Sequence, residues 1–311
     1  MIRVISIVLI IFSGLPSLLY SQACCSGGVP FLGALEVSTT PANNFQLSLT
    51  YDYNRLSRVY TGSNFLEVDP NQRQRIGQSV LLEASYGFSS RFSATVVTSV
   101  IQQKRRIASD ITGETDFIRA NGLGDAAVLA KFSIIPFNLL SRREAAIGAG
   151  VKIPFGENNF NVNGIRVSDD LQPGSGSWDG ILWGYLARGF YPKIPVTAFL
   201  RSSYRLTGTN SFNYKFGNEF LLSLGGILST KSFLSYSMLF RYRSVTADQR
   251  NDATLPNSGG KWLYVIPGLN VNLSSSMGVR LSGQVPVYRN LDGTQLTTTY
   301  RLSVALFYSF F

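Results

Sequence analysis

Two sets of side chains in this sequence are suited to chemistry, and neither is a hydrolytic or redox set. The first is the thiol pair Cys24-Cys25 in QACCSGGVP, the only cysteines in the chain. Thiolates suit soft metals such as copper(I) and zinc, so the pair is a candidate metal ligand set, but two ligands leave a site incomplete. Lipidation of Cys24, a vicinal disulfide or an idle tail fit the same residues, while a disulfide framework is excluded. The second set is charged: Lys131, Arg201, Arg205, Lys215, Arg241, Arg243, Arg280 and Arg301, with the acids Glu83 and Glu219. Each recurs within a segment of alternating polarity, and residues two apart share one face of a strand. Charges on one face of a closed sheet line a passage and select ions. The 311 residues include no histidine. Ser-His-Asp and Cys-His catalysis, His-ligated zinc and His proton relays are therefore absent. The expectation is a non-enzyme without a cofactor. The net charge of +10 does not point to nucleic acid, because the bases lie on strand faces and form no recognised binding motif.

The elements that position these charges follow from composition and period. Charged residues make up 15%, well below the roughly 25% of a soluble domain, while aromatics reach 13% and glycines number 29. Met1 to Tyr20 carries Arg3, an apolar run from Val4 to Phe12 and the breakers Gly14 and Pro16. This is the pattern of a secretory signal peptide cleaved after Ser21. Beyond it no apolar run approaches the ~20 residues of a membrane helix. Residues 22–43 then form a periplasmic tail or a plug, and 44–311 form the body.

The body repeats about ten residues of alternation followed by a connector, the signature of a transmembrane antiparallel up-and-down β-barrel. About 12 strands are expected, with 10–14 compatible, beginning near Phe45, Ile76, Phe92, Ala126, Ala145, Ile181, Val196, Tyr214, Leu234, Leu263, Val279 and Tyr300. Apolar residues would face lipid and charges the lumen. In strand six this rule puts Ile181, Trp183, Tyr185 and Ala187 outward and Arg188 inward; in strand eight it puts Tyr214 and Phe216 outward and Lys215 inward. Alternation alone fits a soluble sandwich equally well. Three features favour the membrane: connectors that alternate long and short, aromatics near both ends of the apolar face, and the aromatic terminal strand YRLSVALFYSFF. That strand resembles the C-terminal signal read by the barrel-assembly machinery, and it places the protein in the outer membrane of a Gram-negative cell with outer-membrane lipids around it.

Several motifs bear a family resemblance. They are Gly122-Leu123-Gly124-Asp125, Gly150-Val151-Lys152-Ile153-Pro154-Phe155-Gly156, Leu171 to Asp179 (LQPGSGSWD), Tyr214 to Glu219, Gly259-Gly260-Lys261-Trp262-Leu263-Tyr264 with Pro267-Gly268-Leu269, and Pro286-Val287-Tyr288-Arg289 with Gly293-Thr294-Gln295-Leu296. In this order, over about two-thirds of the chain, they resemble the MetA-pathway-of-phenol-degradation family of outer-membrane transporter-like β-barrels. Phe216 stands where the family pattern has Pro, and Lys261 where it often has His. The resemblance implies a channel or transporter for small, aromatic solutes. Read from the residues alone, Gln172, Pro173, Gly174, Ser175, Gly176, Trp178 and Asp179 belong to a long outer loop that either constricts the barrel mouth or simply turns into strand six. Pro267 and Pro286 lie within strands, where each removes a ladder donor and marks a bulge.

The expected function is passive passage of a small molecule, aromatic or anionic. The alternative is a structural or partner-binding barrel whose lumen is closed by salt bridges. Inward bases outnumber inward acids, and Arg201, Arg205, Lys215, Arg241 and Arg243 crowd around Glu219. This predicts a positive patch near the mouth, able to hold the carboxylate of an organic acid beside apolar wall groups. Pairing of these bases with the loop acids Glu67, Asp69, Asp169 and Asp170 would abolish the patch. The oligomeric state is not legible in the sequence.

Overall fold

The computed structural model describes residues 38–108, 115–138, 142–191, 194–230 and 233–310. Cys24, Cys25 and the signal sequence lie outside the described residues. Twelve long strands run antiparallel in chain order: β1 (Phe45–Thr61), β2 (Gln74–Gly87), β3 (Phe92–Ala108), β4 (Ala126–Ile135), β5 (Arg143–Ile153), β6 (Asp179–Gly189), β7 (Val196–Thr207), β8 (Glu219–Ser229), β9 (Leu234–Val245), β10 (Gly260–Asn272), β11 (Met277–Leu291) and β12 (Thr294–Phe310). Each pairs with its neighbour, and β12 pairs with β1 from Phe45↔Phe310 to Thr61↔Thr294, so the sheet closes into a barrel. A further strand, Thr115–Leu123, pairs along the far half of β3, from Val100↔Leu123 to Ala108↔Thr115. The described helical structure is one 3₁₀ turn, Asp169–Leu171.

Exposure decides between barrel and sandwich. Leu49, Val80, Val96, Leu224 and Phe240 are exposed, whereas Asp52, Glu83, Lys131, Arg201 and Arg241 are buried. A soluble protein has the reverse, because burying unpaired charge and exposing large apolar side chains both cost free energy in water. An apolar exterior is stable only in an apolar solvent. Aromatics gather at both rims of that exterior. Phe45 meets Phe310, Tyr86 meets Phe88, and Phe92 meets Phe132 at the end where the termini lie; Tyr53 stacks on Tyr300 and Phe220 meets Tyr242 toward the other end.

Short turns such as 88–91 and 273–276 join strands at the terminal end, and the loops 154–178, 208–218 and 246–259 crown the opposite end. The prolines act as expected. The β10–β11 register slips between Leu263 and Tyr264, where Tyr264 lies opposite Pro286, and no pair with β11 forms at Pro267.

Two strands differ from the alternation rule. In β6, Ile181 is 1% exposed and Leu182 54%. Ile181, Trp183, Tyr185 and Ala187 therefore share the inner face with Asp179, while Leu182, Leu186 and Arg188 face out, Arg188 resting over Phe190. Both faces of this strand are apolar, so polarity carries no sign of which one is inside. The eighth strand begins at Glu219. Tyr214–Lys215 instead pair with Gln249–Arg250 in a small sheet of the loops. Tyr214 is buried there and belongs to no girdle, and Lys215 leaves the barrel wall.

Candidate functional site: the barrel interior

The interior is divided along the barrel wall. From β3 to β10 it is lined by apolar side chains: Val97, Leu129, Ile181, Trp183 and Leu221 form one cluster, and Phe199, Leu239, Trp262, Tyr264 and Ile266 another. Tyr185 joins them. Its ring lies parallel to Trp183 at 5.9 Å and stacks on Phe199 at 6.4 Å. Cations sit against these rings, Lys131 over Trp183 at 4.9 Å and Arg201 over Phe199 at 5.3 Å, a contact stabilised by the ring quadrupole.

From β11 through β12 to β1 and β2 the wall is polar. Here a cavity of about 320 Å³ opens, lined by Asp52, Glu83, Arg241, Arg280, Arg301 and serine hydroxyls including Ser303. Arg301 donates to both carboxylate oxygens of Asp52, at 3.1 and 2.5 Å. Arg280 donates to Asn270 at 2.6 Å, and Arg241 donates to Ser223 and Gln284 at 3.2 Å each.

Above this level, toward the loops, an ion-pair ladder crosses five consecutive strands, β9 to β5, and ends on Asp125, just before β4. Arg243 pairs with Glu219 at 2.6 Å, and Arg205 reaches Glu219 at 3.2 Å and Asp179 at 3.8 Å. Lys152 bridges Asp179 at 2.9 Å and Asp125 at 3.1 Å, with no exposure at all. The dense positive patch expected at the mouth is thus neutralised in place, chiefly because β6 presents Asp179 inward. Lys215 takes no part in it. Three of the loop acids, Asp69, Asp169 and Asp170, do pair, but with other bases. Asp170 binds Arg75 at 3.1 Å and Arg105 at 3.8 Å, Asp169 binds Arg166 and Arg250, and Asp69 binds Arg73 within its own loop.

The loop after β5 folds into the mouth. Gln172, Pro173, Gly174 and Ser175 are buried. Gln172 clasps the loop by donating to Val167 and Phe160 and accepting from the Phe160 amide. Gly174 packs backbone to backbone against Gly156, where a side chain would not fit. Ser175 donates to Asp125, and Ser177 donates to Asp179. Gly176 has φ +71°, which favours glycine. Trp178 is 61% exposed between buried Ser177 and Asp179 and points away from the interior, and Asp179 belongs to β6 rather than to the loop.

At the opposite end, residues 38–43 enter the barrel. Lys131 donates to the Ser38 carbonyl, Thr39 donates to Glu144 and the Thr40 amide donates to Ser93. Alternation could not reveal this, since the segment is no strand. Among the described residues no group of three or more His, Cys, Asp or Glu is placed to hold a metal.

No family model and no curated protein matches this chain. Its fold is similar to that of an outer membrane channel from Pseudomonas putida F1, with a TM-score of 0.64 over 89% of this chain and 98% of that chain, at 13% identity. A FadL homologue from Pseudomonas aeruginosa (TM-score 0.46, 10% identity, 86% of this chain and 90% of that chain) and the NanC porin (0.44, 11%, 85% and 99%) are more distant. The first likeness establishes the closed antiparallel 12-stranded barrel as the fold.

Proposed function

We propose that this chain is an outer-membrane channel for passive uptake of small solutes that are anionic, aromatic or both. The observation that carries the reading is the divided interior. A cavity of about 320 Å³ bears Arg241, Arg280 and Arg301, and another part of the barrel wall bears the Trp183–Tyr185–Phe199 stack. That volume lies at the small end of sites for drug-sized ligands. Among the described residues that line the cavity, Arg241, Arg280 and Arg301 stand with Asp52 and Glu83. The excess of base supports preference for an anion, whose apolar remainder would lie against the rings. The apolar exterior and its two aromatic rims support residence in a bilayer, with the long loops outside and the termini in the periplasm.

The test is conductance in planar bilayers with a salt gradient. Anion-selective reversal potentials are expected, and Arg241→Glu with Arg280→Glu should reverse the sign. Cation selectivity in the unaltered protein would overturn the charge assignment. The second reading, a barrel with a closed lumen, is favoured by the ion-pair ladder and the inward-folded loop; absence of conductance from protein that is folded by heat-modifiable gel mobility would establish it.

A further inference from the structure

At the loop end of β1 to β3 the barrel exterior bears a charged area that passage through the lumen does not use. On β1 the outward positions run Leu49, Tyr51, Tyr53, Arg55; on β3 they run Val96, Thr98, Val100, Gln102, Lys104; on the added strand Thr115–Leu123 they run Leu123, Asn121, Arg119. In each strand the apolar band ends, one polar or tyrosine position follows, and a base comes next. Backbone register joins these bases edge to edge: Arg55 lies opposite Ile76, Ile76 opposite Lys104, and Lys104 opposite Arg119. Residues directly opposite point to the same face. Neighbouring strands lie about 4.8 Å apart, so Arg55 and Lys104 stand roughly 10 Å apart and Arg119 is next to Lys104. One phosphorylated headgroup spans that distance.

The chemistry of this area is one-sided. Outward positions of β1, β2, β3 and the added strand from Leu123 to Phe117 include no aspartate or glutamate. Arg55 and Arg119 are exposed, and Lys104 is half-buried with its ammonium 4.1 Å from the centre of the Phe117 ring. Bases with no carboxylate among the described outward positions beside them repel one another, and an anion between them relieves the repulsion. Uncharged amides, Gln78, Gln102 and Asn121, occupy the outward positions just below and offer donors and acceptors to sugar hydroxyls. The area lies at the loop end of the apolar band, the level of headgroups in the outer leaflet.

We propose that Arg55, Lys104 and Arg119 form a binding site for the phosphates of a glycolipid in the outer leaflet, with the amides below contacting its sugars. The added strand would exist in part to complete the site, since it supplies one of the three bases. This inference rests on the outer-membrane reading above but not on transport.

The test uses the purified full-length barrel in detergent and measures binding of bisphosphorylated lipid A, of the same lipid with both phosphates removed, and of inorganic phosphate. Only bisphosphorylated lipid should bind tightly, and Arg55→Gln with Lys104→Gln and Arg119→Gln should weaken it roughly a hundredfold, the scale for removing three bases from an anionic headgroup surface. Lys261→Gln, at an exposed base on β10, should leave binding unchanged. Equal binding of the dephosphorylated lipid, or an unchanged affinity in the triple variant, overturns the proposal. If the triple variant does not fold, Lys104→Gln alone should weaken binding, and binding to the unaltered protein should fall with salt, as contacts to phosphate do; salt-independent binding overturns it too. Conductance of the triple variant separates this inference from the function: a variant that conducts normally yet holds no lipid supports both, and an unaltered protein that holds lipid but does not conduct leaves this site standing alone.

Discussion

The two arcs of the barrel wall solve the same problem in different ways. Between β3 and β10 the interior is filled: Trp183, Leu129 and Leu221 pack in one cluster, Phe199, Leu239 and Tyr264 in another, and Lys152, which is fully buried, is held by two carboxylates. Between β11 and β2 the interior stays open, and Arg301 keeps 19% of its side chain exposed while pairing with Asp52. A buried charge has only its partners to replace water, whereas a charge beside a water-sized cavity retains part of its solvation. Outwardly the strands of the two arcs look alike. They differ only in what the inner face meets.

The largest expected effect separates the arcs directly. Lys152→Met leaves Asp125 without its cation and Asp179 with only the more distant Arg205, in a dry site, at a cost of about 3 to 5 kcal/mol. Arg301→Gln beside the cavity should cost about 1 kcal/mol, because solvent takes over at Asp52. Urea titration of refolding into vesicles measures both. Equal losses would mean that the filled arc is as wet as the open one.

The next effect bears on which way β6 faces. Leu182→Arg should destabilise insertion by about 2 to 4 kcal/mol if the residue lies near mid-depth of the bilayer. A harmless Leu182→Arg would return Ile181 and Trp183 to the lipid face.

These cases explain what was legible in the sequence. β1, β9 and β12 pair an apolar face with Asp52, Arg241 or Arg301, and their facing follows from polarity alone. β1 and β12 border the open cavity, and β9, though its inner face also carries Leu239, sends Arg241 into it. In β6, ILWGYLA has apolar residues on both faces because its inner face meets a packed interior, and the period then carries no direction. The error at Tyr214 has another cause. Local alternation continues through Tyr214-Lys215-Phe216, but Gly217 closes so tightly on Thr246 that a side chain there would collide, and the chain turns away from the wall. The ion-pair ladder is half visible in the sequence, since Arg205, Arg243 and Glu219 fall on the charged faces of their strands. Its neutrality is not, because it depends on Asp179 and hence on the face of β6.

A smaller effect concerns the turn end of the open arc. Gly87 ends β2, and a methyl group there would run into the carbonyl oxygen of Pro41. Gly87→Ala should push residues 38–43 off the wall and raise single-channel conductance, with little change in folding. An unchanged conductance would mean that this segment does not narrow the path.

The smallest effect lies in the loops, where a carboxyl occupies an environment between the two arcs. Asp248 accepts from the Tyr214 hydroxyl at 2.5 Å and from the Gly217 amide at 2.7 Å, and its own amide donates to Ser258. Burial pushes its pKa above the usual carboxylate value; the Tyr214 and Gly217 hydrogen bonds oppose that shift without cancelling it, and nearby Asp170 adds to it. Tyr214 is itself pushed up, by burial and then by Asp248, and so remains a protonated donor. A carboxyl whose folded pKa is raised binds its proton more tightly in the folded loop than in the open one. Its contribution is therefore fully present below the ordinary value of 3.8 and is lost as pH rises through the folded value. The loops 208–218 and 246–259 should accordingly be cleaved faster by protease as pH rises through that window. Asp248→Asn keeps an oxygen acceptor and has no proton to lose. It should flatten the dependence while changing stability by less than about 1 kcal/mol. A variant with the same pH profile would show that another group titrates, and the loops would then belong with the filled arc, where charges are held by partners rather than by protonation.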